Sequence, residues 1–257
     1  MNPFHLVEKR PWPIVSSIGS LVFMFSIIIS IYTKYTEMIF LSLMLLIISS
    51  INWWKDIFRE ASLIGEHIEK ITDGLKIGMA LFITSEVFFF ISFFWAFFHR
   101  RIAPTVELGF IWPPKTIEPF DPIRVPLINT IILLSSGISI TWSHHELINR
   151  NLRKVKKSLR ITILLGLVFS IIQWIEYVNA PFRISDSVAG TTFFIMTGFH
   201  GIHVIIGTLF LITSLKRIKT IKNSSEHFLV FEISAWYWHF VDVVWLFLYM
   251  SIYWWGM

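Results

Sequence analysis

Ile39-Phe40-Leu41-Ser42-Leu43-Met44-Leu45-Leu46-Ile47-Ile48 is an almost unbroken apolar run. A strand of a membrane barrel alternates lipid-facing and lumen-facing residues, and this run does not alternate. Inside hydrocarbon the backbone has no water to bond, so a spanning segment is a helix or part of a closed barrel. The run reads as a helix. Similar stretches extend from it in both directions. The hydrocarbon core is about 30 Å thick, so a crossing helix takes about 20 residues at 1.5 Å rise each. On that measure the spans fall near 14–32, 39–54, 77–99, 127–145, 159–179, 190–215 and 231–255. Positions 33–37 leave only a tight turn between the first two, which predicts a helical hairpin.

Composition agrees. Of 257 residues, 54% are hydrophobic and 15% charged, and the mean hydropathy is +0.65. Soluble domains carry about 25% charged residues. A fold of this size cannot enclose so much Phe, Ile and Leu, so much of that surface meets lipid. A single polytopic membrane domain over 1–257 is expected. The formal charge of +5 lies in short basic runs between apolar spans, a pattern that sets orientation and excludes nucleic acid as a partner. With no cysteine there is no disulfide, thiolate nucleophile or Cys-ligated metal. Met1-Asn2-Pro3-Phe4-His5 lacks the features of a signal peptide, so either insertion by the chain's own helices or synthesis beside its membrane is expected.

Most of the 22 Lys and Arg fall on one side of this topology: Lys9 and Arg10, the connection around Lys55 and Arg59, the dense run 150–160, and Lys216 to Lys222. The other side holds Lys34, Arg100, Arg101, Lys115, Arg124 and Arg183. The asymmetry puts the N-terminus on the cytoplasmic or matrix face and the C-terminus outside. Of the longer loops, 55–76 reads as an interfacial amphipathic segment. The 101–126 loop, with Pro104, Pro113, Pro114, Pro119, Pro122 and Pro126, reads as a stiff extended cap.

Glu86 is the sharpest candidate, set in Phe82-Ile83-Thr84-Ser85-Glu86-Val87-Phe88-Phe89-Phe90. About 20 Å of helix separates it from His99 at the span end. A carboxyl at that depth is expensive unless neutral, paired or facing a cavity. It reads either as a proton-active or lipid-facing acid, or as a group hydrogen-bonded to a neighbouring helix. His200 and His203 stand at i and i+3, as do His239 and Asp242, while His144 and His145 end the fourth span. A dihaem protein would place axial His deep on facing helices, and that pattern is not evident. Interhelical hydrogen bonds are the expectation for the histidines, with His239 as a partner for Asp242. Glu176 and Glu232 read as ordinary acids near an interface. Trp53-Trp54-Lys55-Asp56 followed by Arg59-Glu60 reads as a snorkelling span end or a phospholipid headgroup site. An ion transporter using Glu86 and Asp242 would call for inverted repeats, which are not found.

Several blocks carry a resemblance to a known family: Pro11-Trp12-Pro13, Trp53-Trp54 with Arg59-Glu60, Ser85-Glu86-Val87, Trp112-Pro113-Pro114, Ser139-Ile140-Thr141-Trp142 with His144-His145, and Ala180-Pro181-Phe182. Two longer ones are Thr197-Gly198-Phe199-His200-Gly201-Ile202-His203-Val204 and Ala235-Trp236-Tyr237-Trp238-His239-Phe240-Val241-Asp242. Over essentially the whole chain it resembles the subunit III family of mitochondrial cytochrome c oxidases. The resemblance implies an all-α membrane protein of seven transmembrane helices, the first two splayed from the other five around a lipid-filled cleft. It implies a non-catalytic subunit of the terminal oxidase in the mitochondrial inner membrane, N-terminus in the matrix and C-terminus in the intermembrane space. Haem and copper would belong to partner subunits I and II, with accessory subunits beside them; this chain would bind no metal, only structural phospholipids. Glu86 matches the family's buried glutamate, and Trp54, Arg59, Glu60, His67 and Arg217 match positions associated with lipid binding. Arg100 and Arg101 depart from the family's smaller polar residues there.

Overall fold

A computed structural model describes residues 7, 9–61, 69–104, 109–115, 117–220 and 227–256. These residues form seven α-helices and no strand: α1 (Trp12–Thr33), α2 (Glu37–Arg59), α3 (Glu69–Ile102), α4 (Val125–Ile148), α5 (Leu152–Val178), α6 (Val188–Thr220) and α7 (His227–Leu248). A π-helical turn, Tyr249–Trp254, continues α7. The helices α1 to α6 are long and apolar enough to cross a membrane. In α7 the run from Trp236 to Trp245 holds Tyr237, Trp238, His239 and Asp242, which dilutes its apolar character. Tyr237, Trp238 and Trp245 are buried within the bundle, so much of this helix meets protein where its neighbours meet lipid.

The helices outrun the expected apolar spans at nearly every end. Polar residues flanking an apolar stretch keep the same backbone ladder, so hydropathy marks the hydrocarbon-length part and helix geometry continues past it. The described part of 55–76 shows this directly. It is the last turn of α2 and the first turns of α3, with residues 62–68 outside the described set, and not a separate interfacial segment.

The chain divides into two compact units, 1–75 and 76–257. In the first, α1 and α2 form the expected hairpin. Lys34 takes a left-handed conformation (φ 63°) and its N–H bonds the Ser30 carbonyl, ending α1. Small residues line the seam: Ser26 and Ser42 share a hydrogen bond of 3.1 Å, Ser16 donates to Ser49 at 3.2 Å, and Leu46 packs on Gly19. Nearby, Arg10 pairs with Glu60 at 2.7 Å and the Trp12 indole N–H donates to Asp56.

The second unit buries small and polar side chains beside an aromatic and aliphatic core and leaves much of its aliphatic surface exposed. On α5 the buried positions include Ser158, Thr162, Gly166, Phe169, Gln173 and Glu176, each about one helical turn from the next, while Leu164, Leu167, Ile171 and Trp174 are exposed. On α4 the buried set includes Asn129, Thr130, Ser136, Ser139 and Ser143, against exposed Ile128, Ile131 and Ile138. Hydroxyls close the interior in pairs, Ser139 with Thr162 at 2.7 Å. Trp238 of α7 stands at the centre, fully buried. Its indole N–H donates to Ser136 of α4 at 2.8 Å, and its ring lies against Gly166 of α5 and Gly207 of α6. A neighbouring indole, Trp245, donates to Thr130 at 3.0 Å.

Helix α3 joins this unit through aromatic rings. Phe89 and Phe93 meet Phe199 of α6, Phe90 meets Phe240 of α7, and Phe94 meets Phe247. The proline-rich loop caps the bundle as expected. Trp112 donates to the Gly256 carbonyl at 2.6 Å, the Tyr249 hydroxyl donates to the Pro122 carbonyl at 3.2 Å, and Phe120 stacks on Phe193. Pro126 sits in the first turn of α4, where a missing N–H breaks no ladder bond.

A methyl group on Gly166 would lie 2.5 Å from the Trp238 ring, whereas on Gly198 it would meet nothing within 4 Å. Gly166→Ala is therefore expected to cost about 1–3 kcal/mol through overpacking. Gly198→Ala should leave stability unchanged or raised, and thermal unfolding of the two purified variants in detergent distinguishes them.

Candidate functional site

Two buried histidines on α6 face different neighbours. His200 is wholly enclosed, and its Nε2–H donates to the Val241 carbonyl of α7 at 3.2 Å, with Trp245 and Phe169 rings around it. His203, one turn on, reaches α3: its Nε2 lies 2.9 Å from Oε2 of Glu86. Its Nδ1 lies 2.7 Å from the Phe199 carbonyl. The interhelical bonding expected of these histidines is what they do.

The second contact fixes the chemistry of the first. A carbonyl oxygen only accepts, so Nδ1 carries a hydrogen. In a neutral imidazole Nε2 is then an acceptor, and Glu86 donates to it as a carboxylic acid. In an imidazolium Nε2 is a donor, and Glu86 accepts as a carboxylate. Both states keep the same heavy-atom positions and differ by one proton moved between Oε2 and Nε2. Phe90 (5.1 Å between ring centroids), Tyr237 (6.2 Å) and Phe240 (6.2 Å) wall the imidazole. The Glu86 side chain keeps 21% of its surface open and His203 keeps 10%. The pair is thus an interhelical hydrogen bond near the middle of the two helices, with part of the Glu86 side chain left open.

The other expected site residues are distributed as follows. Trp54 is half exposed on α2, Arg59 is exposed at its last turn, and Glu60 follows with its carboxylate on Arg10. His67 lies outside the described residues. Arg217 is half-buried near the charged end of α6 and engaged with neighbours. Arg101, a departure from the family pattern, stacks its guanidinium 3.6 Å over the Trp255 ring. Glu232 pairs with Lys76 at 3.1 Å, in keeping with an interfacial position.

Two expectations are corrected. Among the described residues Asp242 makes no bond to His239: its Oδ1 is buried without a partner, and its other oxygen lies against Gly137 of α4. One turn of separation on a helix brings two side chains near each other without aiming them together. Glu176, near the end of α5, is not an ordinary surface acid but 4% exposed inside the bundle, beside Gln173 and Tyr253, because the π-helical turn and the proline-rich loop close over that end. Gln173 and Asn129 bond at 3.3 Å, and Tyr177 donates to Thr197 at 2.7 Å. The signal for this polar cluster was the run of small and polar residues at helical spacing along α5. Among the described residues, no group of three or more His, Asp and Glu side chains is placed to hold a metal.

Fold and site together define a multi-pass α-helical membrane protein whose polar groups face inward. Residues 2–257 match the cytochrome c oxidase subunit III family. Curated relatives named cytochrome c oxidase subunit 3 match almost end to end. The one from Rhipicephalus sanguineus is 54% identical over 254 residues, 99% of both chains. Those from Aedes aegypti (52%) and Paracentrotus lividus (51%) match over 255 residues, 99% of this chain and 97% and 98% of theirs. The chain belongs to the cytochrome c oxidase subunit III family.

An amide at position 86 can still donate to the His203 Nε2 but holds no transferable proton. Glu86→Gln should therefore unfold at nearly the wild-type temperature. Glu86→Ala, which strands the imidazole, should lose about 1–2 kcal/mol, the scale of one interhelical hydrogen bond. Equal losses in both variants would contradict the bond.

Proposed function

We propose that the chain is a core subunit of the respiratory-chain terminal oxidase and carries no redox centre of its own. The complex oxidises cytochrome c, reduces oxygen to water and pumps protons across the mitochondrial inner membrane. Haem and copper lie in partner subunits I and II, and accessory subunits complete the assembly. All seven helices cross the membrane as one polytopic domain, with the N-terminus in the matrix and the C-terminus in the intermembrane space. The chain stabilises the catalytic subunit and supports its proton or oxygen supply.

The observation that carries this reading is the bond between Glu86 and His203. His200 bonds the Val241 carbonyl of α7 and His203 bonds Glu86 of α3, so each of the two deep histidines of α6 is spent on one interhelical contact, while the Nδ1 of His200 has no partner among the described residues. A carboxyl and imidazole sharing a proton at that depth suit a group that takes up and returns protons beside a pump. Phospholipid is the second ligand, held in the lipid-filled cleft that the family resemblance implies. At the polar end of α2, Trp54 offers a ring for the acyl region and exposed Arg59 a guanidinium for the phosphate. Glu60, His67 and Arg217 belong to the same lipid-binding reading.

A hydrophobic carbodiimide should label Glu86 in the assembled oxidase, and Glu86→Gln should abolish that label. The variant complex should assemble but lose activity sooner in sustained turnover. Failure to assemble would assign Glu86 a structural role, and an unchanged turnover lifetime would remove it from proton supply. Arg59→Ala should lower the phospholipid that co-purifies in mild detergent; an unchanged lipid content would take Arg59 out of the headgroup site.

A further inference from the structure

At one end of the second unit, α4, α5 and the π-helical turn bring four buried polar side chains together. Asn129 of α4 donates to Gln173 of α5 at 3.3 Å. Glu176 follows Gln173 about one turn along α5, and the Tyr253 hydroxyl lies beside both. Asn129 is 0% exposed, Tyr253 2%, and Gln173 and Glu176 4% each. Among the described residues, five of their polar atoms have no hydrogen-bond partner: Asn129 Oδ1, Gln173 Nε2, both carboxyl oxygens of Glu176 and the Tyr253 hydroxyl. The rings of Phe120, Phe193 and Trp245 pack around Tyr253 and close the cluster off from lipid.

Each such atom is expensive in a bundle interior. Their chemistry identifies what satisfies them. Asn129 Oδ1 and a carboxylate accept, Gln173 Nε2 donates, and a phenol does both. Exchanging O and N in both amides keeps their mutual bond and again leaves one donor and one acceptor. A metal cation would meet the donating amide, and an anion would meet the carboxyl. Water both donates and accepts, and a buried water takes about two to four polar partners. Tyr253 stands close to Glu176 and Gln173 but outside direct bonding geometry, the spacing that a bridging molecule takes. We propose that at least one water molecule is bound among Glu176, Gln173, Tyr253 and Asn129, tying the π-helical turn to α4 and α5. The site depends on the fold alone, so its failure would leave the oxidase reading untouched.

Bound water yields hydroxyl radicals in place under X-ray irradiation, so a side chain beside it is oxidised even where bulk solvent does not reach. In the assembled oxidase, such irradiation read by mass spectrometry should modify Tyr253. It should spare Trp238, an equally reactive ring that is fully buried and bonds Ser136 directly. Glu176→Leu should abolish the Tyr253 label, whereas Glu176→Gln, which keeps a polar end, should retain it. No label on Tyr253, equal label on Trp238, or a Tyr253 label that persists in Glu176→Leu would overturn the site. A high-resolution map of the wild-type complex decides without any variant. A peak within about 2.6–3.2 Å of Glu176 and of one other member supports the site. A direct bond from Tyr253 to Glu176 with nothing between them overturns it, as does a peak ringed only by oxygens at about 2.0–2.6 Å, the signature of a metal cation.

Discussion

The structure depends on one constraint: in hydrocarbon, a polar group without a partner has no water to fall back on. On α4 and α5 the chain answers by turning a stripe of serines, threonines and amides inward, among buried aromatic and aliphatic side chains, and many isoleucines and leucines outward. No hydrophobic force separates a leucine facing lipid from one facing protein, so close packing and hydrogen bonds hold the helices together. Trp238 concentrates both, since its indole N–H reaches α4 while its ring fills the room left by glycines on α5 and α6. The same rule explains the hairpin seam of α1 and α2, where serines meet serines.

Ionisable groups inside such a bundle are costly enough to be informative. Glu86 and His203 resolve the cost by hydrogen-bonding each other across α3 and α6. Lys76 and Glu232 resolve it as a part-exposed ion pair where water is near. Asp242 and Glu176 are less fully satisfied: Oδ1 of the first and both carboxyl oxygens of the second are buried without a hydrogen-bond partner among the described residues.

Much of this was legible in the residues. Unbroken apolar runs marked the helices, positions 33–37 marked a hairpin, and Glu86 stood out by its depth among phenylalanines. Helix ends were not legible, because hydropathy reports hydrocarbon length while the backbone ladder runs on through polar turns, as α2 does to Arg59 and α3 from Glu69. Partners were legible only in kind. Helical spacing placed Asp242 near His239 but could not say that its carboxylate would turn to Gly137. Glu176 read as ordinary from its place near the end of α5, and its burial was not legible there. Only the loop and turn that fold over that end bury it, and such long-range closure has no local signal.

The inward placement of polar residues is tested most directly by labelling the oxidase in its native membrane with a lipid-partitioning carbene reagent and reading the modified positions along α5. The account predicts label at positions such as Leu164, Ile171 and Trp174 and none at Ser158, Thr162, Gly166 or Gln173. Label on that small and polar stripe, with the apolar face unmodified, would contradict it.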